Sequence, residues 1–198
     1  MKRAKIIFII LAVVATVTAF SQDARGQERA PLKPALLVID IQNAYLQYMP
    51  QEDVEVAFYY INNLIGLFRS NGFPVIRIYH HDKEMGPHPD TEQFEFPSRI
   101  NIKSDDPRVI KTYADAFNKT DLDKVLKEKG CNVLFLCGLS AVGCVLATWN
   151  GAHNYDYQAF MVKDAIISHN TDYTNNVEDM FDAIGFDAVK LIVENSAK

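Results

Sequence analysis

Short, continuous apolar runs alternate along this chain with segments whose apolar residues recur at helical spacing. Ala35 to Ile41 (ALLVIDI) is apolar except for Asp40, the pattern of a strand buried on both faces. Ala57, Ile61, Leu64, Ile65 and Phe68 then fall on one helical stripe, and Gly72 supplies a stop. Pro74 to His80 predicts a second strand. His81 to about Pro107 carries four prolines and predicts a loop-rich stretch, followed by a short third strand from Arg108 to Lys111. Thr120 opens a helix that its hydroxyl can cap, with Asp123 at the third helical position and Gly130 at the end. Val133 to Cys137 predicts a fourth strand. Cys144 to His153 predicts a helix with Val145, Thr148, Trp149 and Ala152 on one stripe. A fifth strand (Gln158 to Val162), a helix (Asn176 to Ile184) and a sixth strand (Ala188 to Val193) complete the pattern. Such alternation predicts a three-layer α/β/α domain with one core, built on an open, mainly parallel sheet of six strands.

The first residues stand apart. Lys2, Arg3 and Lys5 precede an apolar run from Ile6 to Phe20, with small residues at Ala19 and Ser21. The run has 15 residues, short of the roughly 20 that span a bilayer. This pattern predicts a cleaved export signal over residues 1–22, hence a periplasmic or secreted protein, with residues 23–34 as a polar linker. Residues 35–198 then form one domain. Losing the three basic residues takes the formal charge from -5 to -8. An acidic surface argues against nucleic acid as a partner, and against a membrane once the signal is removed. Three cysteines is an odd count, so at least one thiol is free or pairs between chains. Cys131 and Cys137 flank one predicted strand, roughly 20 Å apart, too far for a disulfide.

Asp40 closes the first strand, Lys111 closes the third, and Cys144 follows the fourth after a Gly-containing turn. In an open parallel sheet those strand ends share one edge, so an acid, a lysine and a thiol can converge. A thiol at a helix N-terminus feels the positive end of the helix dipole, which favours thiolate. Lys111 would reinforce that preference, and Asp40 would take the thiol proton and deliver it to a leaving group.

Three blocks sharpen this picture. ALLVIDIQNAY carries an Asp followed by x-Gln-Asn. VIKTYADAFNKTDLDKVLKEKG has a Lys, a Phe six residues on, then Thr-x-Leu. LFLCGLSAVGCVLATWNGAHNYDYQAFMVKDA runs strand, Gly, turn, Cys-Val, a Thr four residues after the Cys, and a strand ending in Asp-Ala. In order and spacing they resemble the isochorismatase-like cysteine hydrolases, which include nicotinamidases, N-carbamoylsarcosine amidases and ureidoacrylate amidases. The resemblance runs from about Lys33 to Val193. It implies a Rossmann-like fold and a catalytic triad of Asp40, Lys111 and Cys144. It also implies a cis peptide at Leu139–Ser140, with the Ser140 and Cys144 amides forming an oxyanion hole. Gln42, Tyr45 and Phe117 are then expected in the substrate pocket. The implied reaction is hydrolysis of a small-molecule C–N bond (amide, ureide or carbamoyl) through a thioester, without a cofactor, in a homodimer or homotetramer. The alternatives are a silent small-molecule-binding member of the superfamily or an isochorismatase-type vinyl ether hydrolase.

The chain also departs from its relatives. Nicotinamidases hold a metal on an acid and two histidines in Asp-x-His order, which is absent here. His80 and His81 are adjacent, so on a strand they face opposite sides, and no metal site is expected. A surface loop role is the first expectation for both, with a place in the pocket wall for His80 or His81 as the alternative. Ala141 stands where many relatives have Thr, and Ala44 where many have Asp, two changes expected near the pocket. True isochorismatases typically lack the cysteine, so Cys144 favours an amide-type substrate.

Overall fold

The computed structural model of the protein describes residues 31–196. The expected export signal and most of the linker lie outside the described residues. Five strands form one sheet: β1 (Pro34–Ile39), β2 (Val75–His80), β3 (Arg108–Lys111), β4 (Val133–Leu139) and β5 (Gln158–Ile167). Their order is β3-β2-β1-β4-β5, and every neighbouring pair is parallel. The helices are α1 (Asn43–Leu46), α2 (Gln51–Ser70), α3 (Leu122–Glu128), α4 (Leu146–Asn154), α5 (Thr171–Met180) and α6 (Phe186–Glu194). A π-type turn over Ala141–Val145 leads into α4. No helix among the described residues is long and apolar enough to cross a membrane.

The apolar run of β1 is used on both sides. Leu36 and Val38 pack with α2 and α6 through Ile61, Phe68, Val189 and Val193. Ala35, Leu37 and Ile39 face the opposite layer, with Leu122 and Leu126 of α3, Ala152 of α4 and Val177 of α5. Two apolar layers sandwich the sheet, which is why its central strands show no polar alternation. Fully burying each large apolar side chain contributes roughly 1.5–3 kcal/mol.

Among the described residues the sheet has five strands rather than six. Ala188 to Val193, expected as the sixth strand, lies within α6. Val189 and Val193 are fully buried while Leu191 is exposed, a spacing that fits a helix face. The β-branched residues suggest a strand locally, but packing against α2 settles the matter. The preceding helix also begins earlier than Asn176, because the Asn170 side chain accepts the amides of Asp172 (2.8 Å) and Tyr173 (3.3 Å) as an N-cap. The N-cap of α3 is Asp121 rather than Thr120, whose hydroxyl, one residue earlier, accepts the Leu122 amide at 3.2 Å.

Gly138 on β4 lies opposite Ile39 of β1. Its φ is +113°, and a Cβ there would collide with the Ile39 carbonyl. The register between β4 and β5 also shifts between Leu136 and Gly138. Gly138→Ala is therefore expected to destabilise the fold by about 3 kcal/mol or more in urea titration. Gly66, exposed in the middle of α2, provides the contrast, because a Cβ there would meet nothing within 4 Å. Gly66→Ala should raise stability by about 0.5–1 kcal/mol.

Candidate active site

The strand order reverses at β1. From it the chain moves to β2 and β3 on one side, then to β4 and β5 on the other. In an open parallel sheet, the crevice beyond the C-terminal ends of the strands at such a reversal is where ligands bind. Asp40 leaves β1 and Cys144 lies past β4, the two strands that flank the reversal. A cavity of about 290 Å³ opens there, and both residues line it.

Asp40 takes a left-handed backbone conformation, with φ at +51°. Aspartate tolerates this region better than most residues, at some energetic cost. Its Oδ2 accepts a hydrogen bond from Lys111 Nζ at 2.7 Å, and the pair is almost wholly removed from solvent. Its Oδ1 is buried without a conventional hydrogen-bond partner. Burial pushes the Asp40 carboxyl above the usual carboxylate range, against the opposing pull of Lys111.

Cys144 is half-buried in the turn that precedes α4. Burial first, and the Asp40 charge second, push its thiol up to about 12, while Lys111 pulls the other way. Desolvation therefore outweighs the pull of Lys111 towards a thiolate. This favours the protonated thiol at neutral pH. All three cysteines are free; Cys131 and Cys137 are buried and form no disulfide. Leu139–Ser140 is a cis peptide bond, and Leu139 and Ser140 both line the cavity with Cys144.

Two residues expected in the pocket lie elsewhere. Phe117 is buried in the core, stacked on Tyr155 with ring centroids 5.0 Å apart. Gln42 is fully buried and does not line the cavity. It clamps the end of β2, donating to the His80 carbonyl at 3.0 Å and accepting the His80 amide at 2.7 Å. Tyr45 does line the cavity. Ala141 is buried in the core and, like Ala44, stays off the cavity wall.

His80, read from sequence as a loop residue, belongs to the site. It ends β2 in register with Lys111, and Lys111 Nζ lies 3.1 Å from its Nδ1. With Lys111 as donor, Nδ1 is the acceptor and the neutral ring carries its proton on Nε2. Burial and the neighbouring ammonium lower the pKa of the imidazole, which keeps it neutral. The strand-end rule that selected Asp40 and Lys111 would have found His80 had it been applied to β2. His81 instead turns away, its Nδ1 meeting the Pro87 carbonyl at 3.1 Å.

Ligand atoms of Asp40, His80 and Cys144 lie within 4.8 Å of one another, a set able to hold a metal ion. The Lys111 ammonium already bonds two of the three and would repel a second cation. Thr148 on α4 explains another sequence signal. Its buried Oγ1 accepts the Ala116 amide at 3.1 Å, tying the segment after Lys111 to the helix that carries the cysteine turn.

Comparison with known proteins places this geometry. The uncharacterized isochorismatase family protein YrdC of Bacillus subtilis (strain 168) is 27% identical over 137 residues, 67% of this chain and 73% of its own length. Enterobactin synthase component B of Escherichia coli (strain K12) is 34% identical over 82 residues, 41% of this chain and 28% of its own length. Among solved structures, N-carbamoylsarcosine amidase from Thermoplasma acidophilum superposes with a TM-score of 0.68 at 22% identity, covering 78% of this chain and 95% of that one. An isochorismatase-like hydrolase from Alkaliphilus metalliredigens gives a TM-score of 0.69 at 23% identity, covering 81% and 97%. The model of the isochorismatase domain matches residues 34–186, from β1 to the start of α6 and so across all three strand ends that build the site; the chain belongs to the isochorismatase family.

Proposed function

We propose that this member of a hydrolase family is a cysteine hydrolase that cleaves a C–N bond of a small molecule. The observation that carries the reading is the buried Asp40–Lys111 pair, with the Cys144 thiol beside it at the floor of a cavity.

In this reading Asp40 takes the proton from Cys144 as the sulfur attacks the substrate carbonyl. A C–S bond forms, and the resulting oxyanion is held by the Ser140 and Cys144 amides. Asp40 passes the proton to the departing nitrogen as the C–N bond breaks. Water then attacks the thioester, giving one proton to Asp40 while the C–S bond breaks. That proton returns to sulfur, so the enzyme ends as it began. Lys111 opposes the effect of burial on Asp40 and so favours its charged form. The elevated thiol pKa supports proton transfer in step with attack, rather than a standing thiolate.

Three outcomes test this. Ammonia release from a panel of primary amides, ureas and carbamoyl compounds should fall at least about 10³-fold in Cys144→Ala and about 10²–10⁴-fold in Asp40→Asn. Folded Cys144→Ala retaining wild-type turnover would sink the reading. Lys111→Met removes the cation paired with the buried Asp40, so the carboxyl pKa should rise further and unfolding stability at neutral pH should drop by about 3–5 kcal/mol. The Asp40→Asn/Lys111→Met double variant should recover much of that loss. Finally, with the Cys144 pKa raised to about 12, its alkylation by iodoacetamide should keep climbing beyond pH 10. A plateau near pH 8, read by peptide mass spectrometry, would contradict a thiol resting state.

A further inference from the structure

The cavity above Cys144 has a pronounced chemical bias. Tyr45, Met49, Met85 and Leu139 give it apolar walls. Its charged lining residues are Asp40 and Asp82, and among the described residues that line it there is no lysine or arginine. Lys111 lies outside the wall, with its ammonium engaged by Asp40 and His80. His80, the remaining basic group, is kept neutral.

Asp82 is built in rather than incidental. Its Oδ1 accepts the amides of Glu84 at 2.8 Å and Met85 at 3.0 Å, so the loop backbone fixes the carboxylate at the cavity. Those same bonds lower its pKa and keep it ionised. Burial, then nearby Asp40, Cys144 and Asp82, raise the pKa of the Tyr45 phenol on the same cavity wall. A substrate carboxylate entering here would lose water, meet no unpaired cation on the wall and face a fixed negative charge.

We propose that the site takes carboxylate-free amides or ureas with an apolar body, accepts a basic nitrogen at Asp82, and discriminates against N-carbamoyl amino acids and other carboxylate-bearing amides. The assignment of substrate class rests on Cys144 being the nucleophile, as argued above. It narrows that reading by charge, and it sets this cavity apart from one built to grip an anionic substrate with arginine.

Alkylation separates the charge preference from turnover. Rates at Cys144 are measured with neutral iodoacetamide, anionic iodoacetate and cationic 2-bromoethylamine at one pH and low ionic strength. Each is divided by the same reagent's rate on that cysteine in the urea-denatured chain. The normalised iodoacetamide-to-iodoacetate ratio should be about 10 or more. In Asp82→Asn, which keeps the oxygen that caps the loop, it should fall several-fold, and 2-bromoethylamine should lose its advantage. A normalised ratio of one or less, or no change in Asp82→Asn, overturns the proposal. Turnover provides the second arm. Release of ammonia from N-carbamoyl amino acids in preference to neutral arylalkyl amides, lost in Cys144→Ala, would overturn the substrate class while leaving the hydrolase intact. Absence of Cys144-dependent turnover on both sets would instead remove the hydrolase reading, and the alkylation ratios would still decide the charge preference of the cavity.

Discussion

The ion pair between Asp40 and Lys111 constrains the whole site. Two charges removed from water are costly, and their attraction offsets this only with good geometry. Here the geometry comes from the sheet. Asp40 leaves β1 in a left-handed turn, while Lys111 ends β3, two strands away. The lysine must therefore reach across the end of β2, and His80 is the residue it passes, in register on that strand. Gln42 holds the β2 end to the segment after β1, so the gap that the lysine crosses is fixed by two further hydrogen bonds.

The thiol depends on that pair. Burial that protects the ion pair from water also raises the cost of a thiolate, and it outweighs the pull of Lys111. What remains is a thiol and a carboxylate lining one cavity, with the Lys111 ammonium behind the wall. Such a set is suited to moving a proton during reaction rather than storing charge beforehand. The apolar walls and the second fixed carboxylate, Asp82, extend the same logic to the ligand: the cavity offers little to an anion.

Much of this was legible in the residues. Continuous apolar runs marked the strands, because both faces of a parallel sheet are covered. Strand ends marked Asp40, Lys111 and Cys144, because topology gathers those ends at one edge. Where reading failed, a local signal had two valid meanings. The β-branched stretch from Ala188 to Val193 suits a strand, yet its buried residues, Val189 and Val193, fall at helical spacing and pack with those of α2. Phe117 could stand in a pocket or a core, and stacking on Tyr155 places it in the core. His80 looked like the start of a loop because its partner is 31 residues away.

The sequence by itself determined the layer architecture, the edge at which chemistry can occur and the three side chains best suited to it. These follow from periodicity and chain order, which are local or topological properties. Tertiary structure alone decided the burial of Cys144 that raises its thiol pKa, the entry of His80 and Asp82 into the site, and the exclusion of Gln42 and Phe117 from the cavity wall. Each of those depends on burial and on distances of a few ångströms between segments far apart in the chain. Desolvation and short-range electrostatics act through space, and no pattern along the sequence records them.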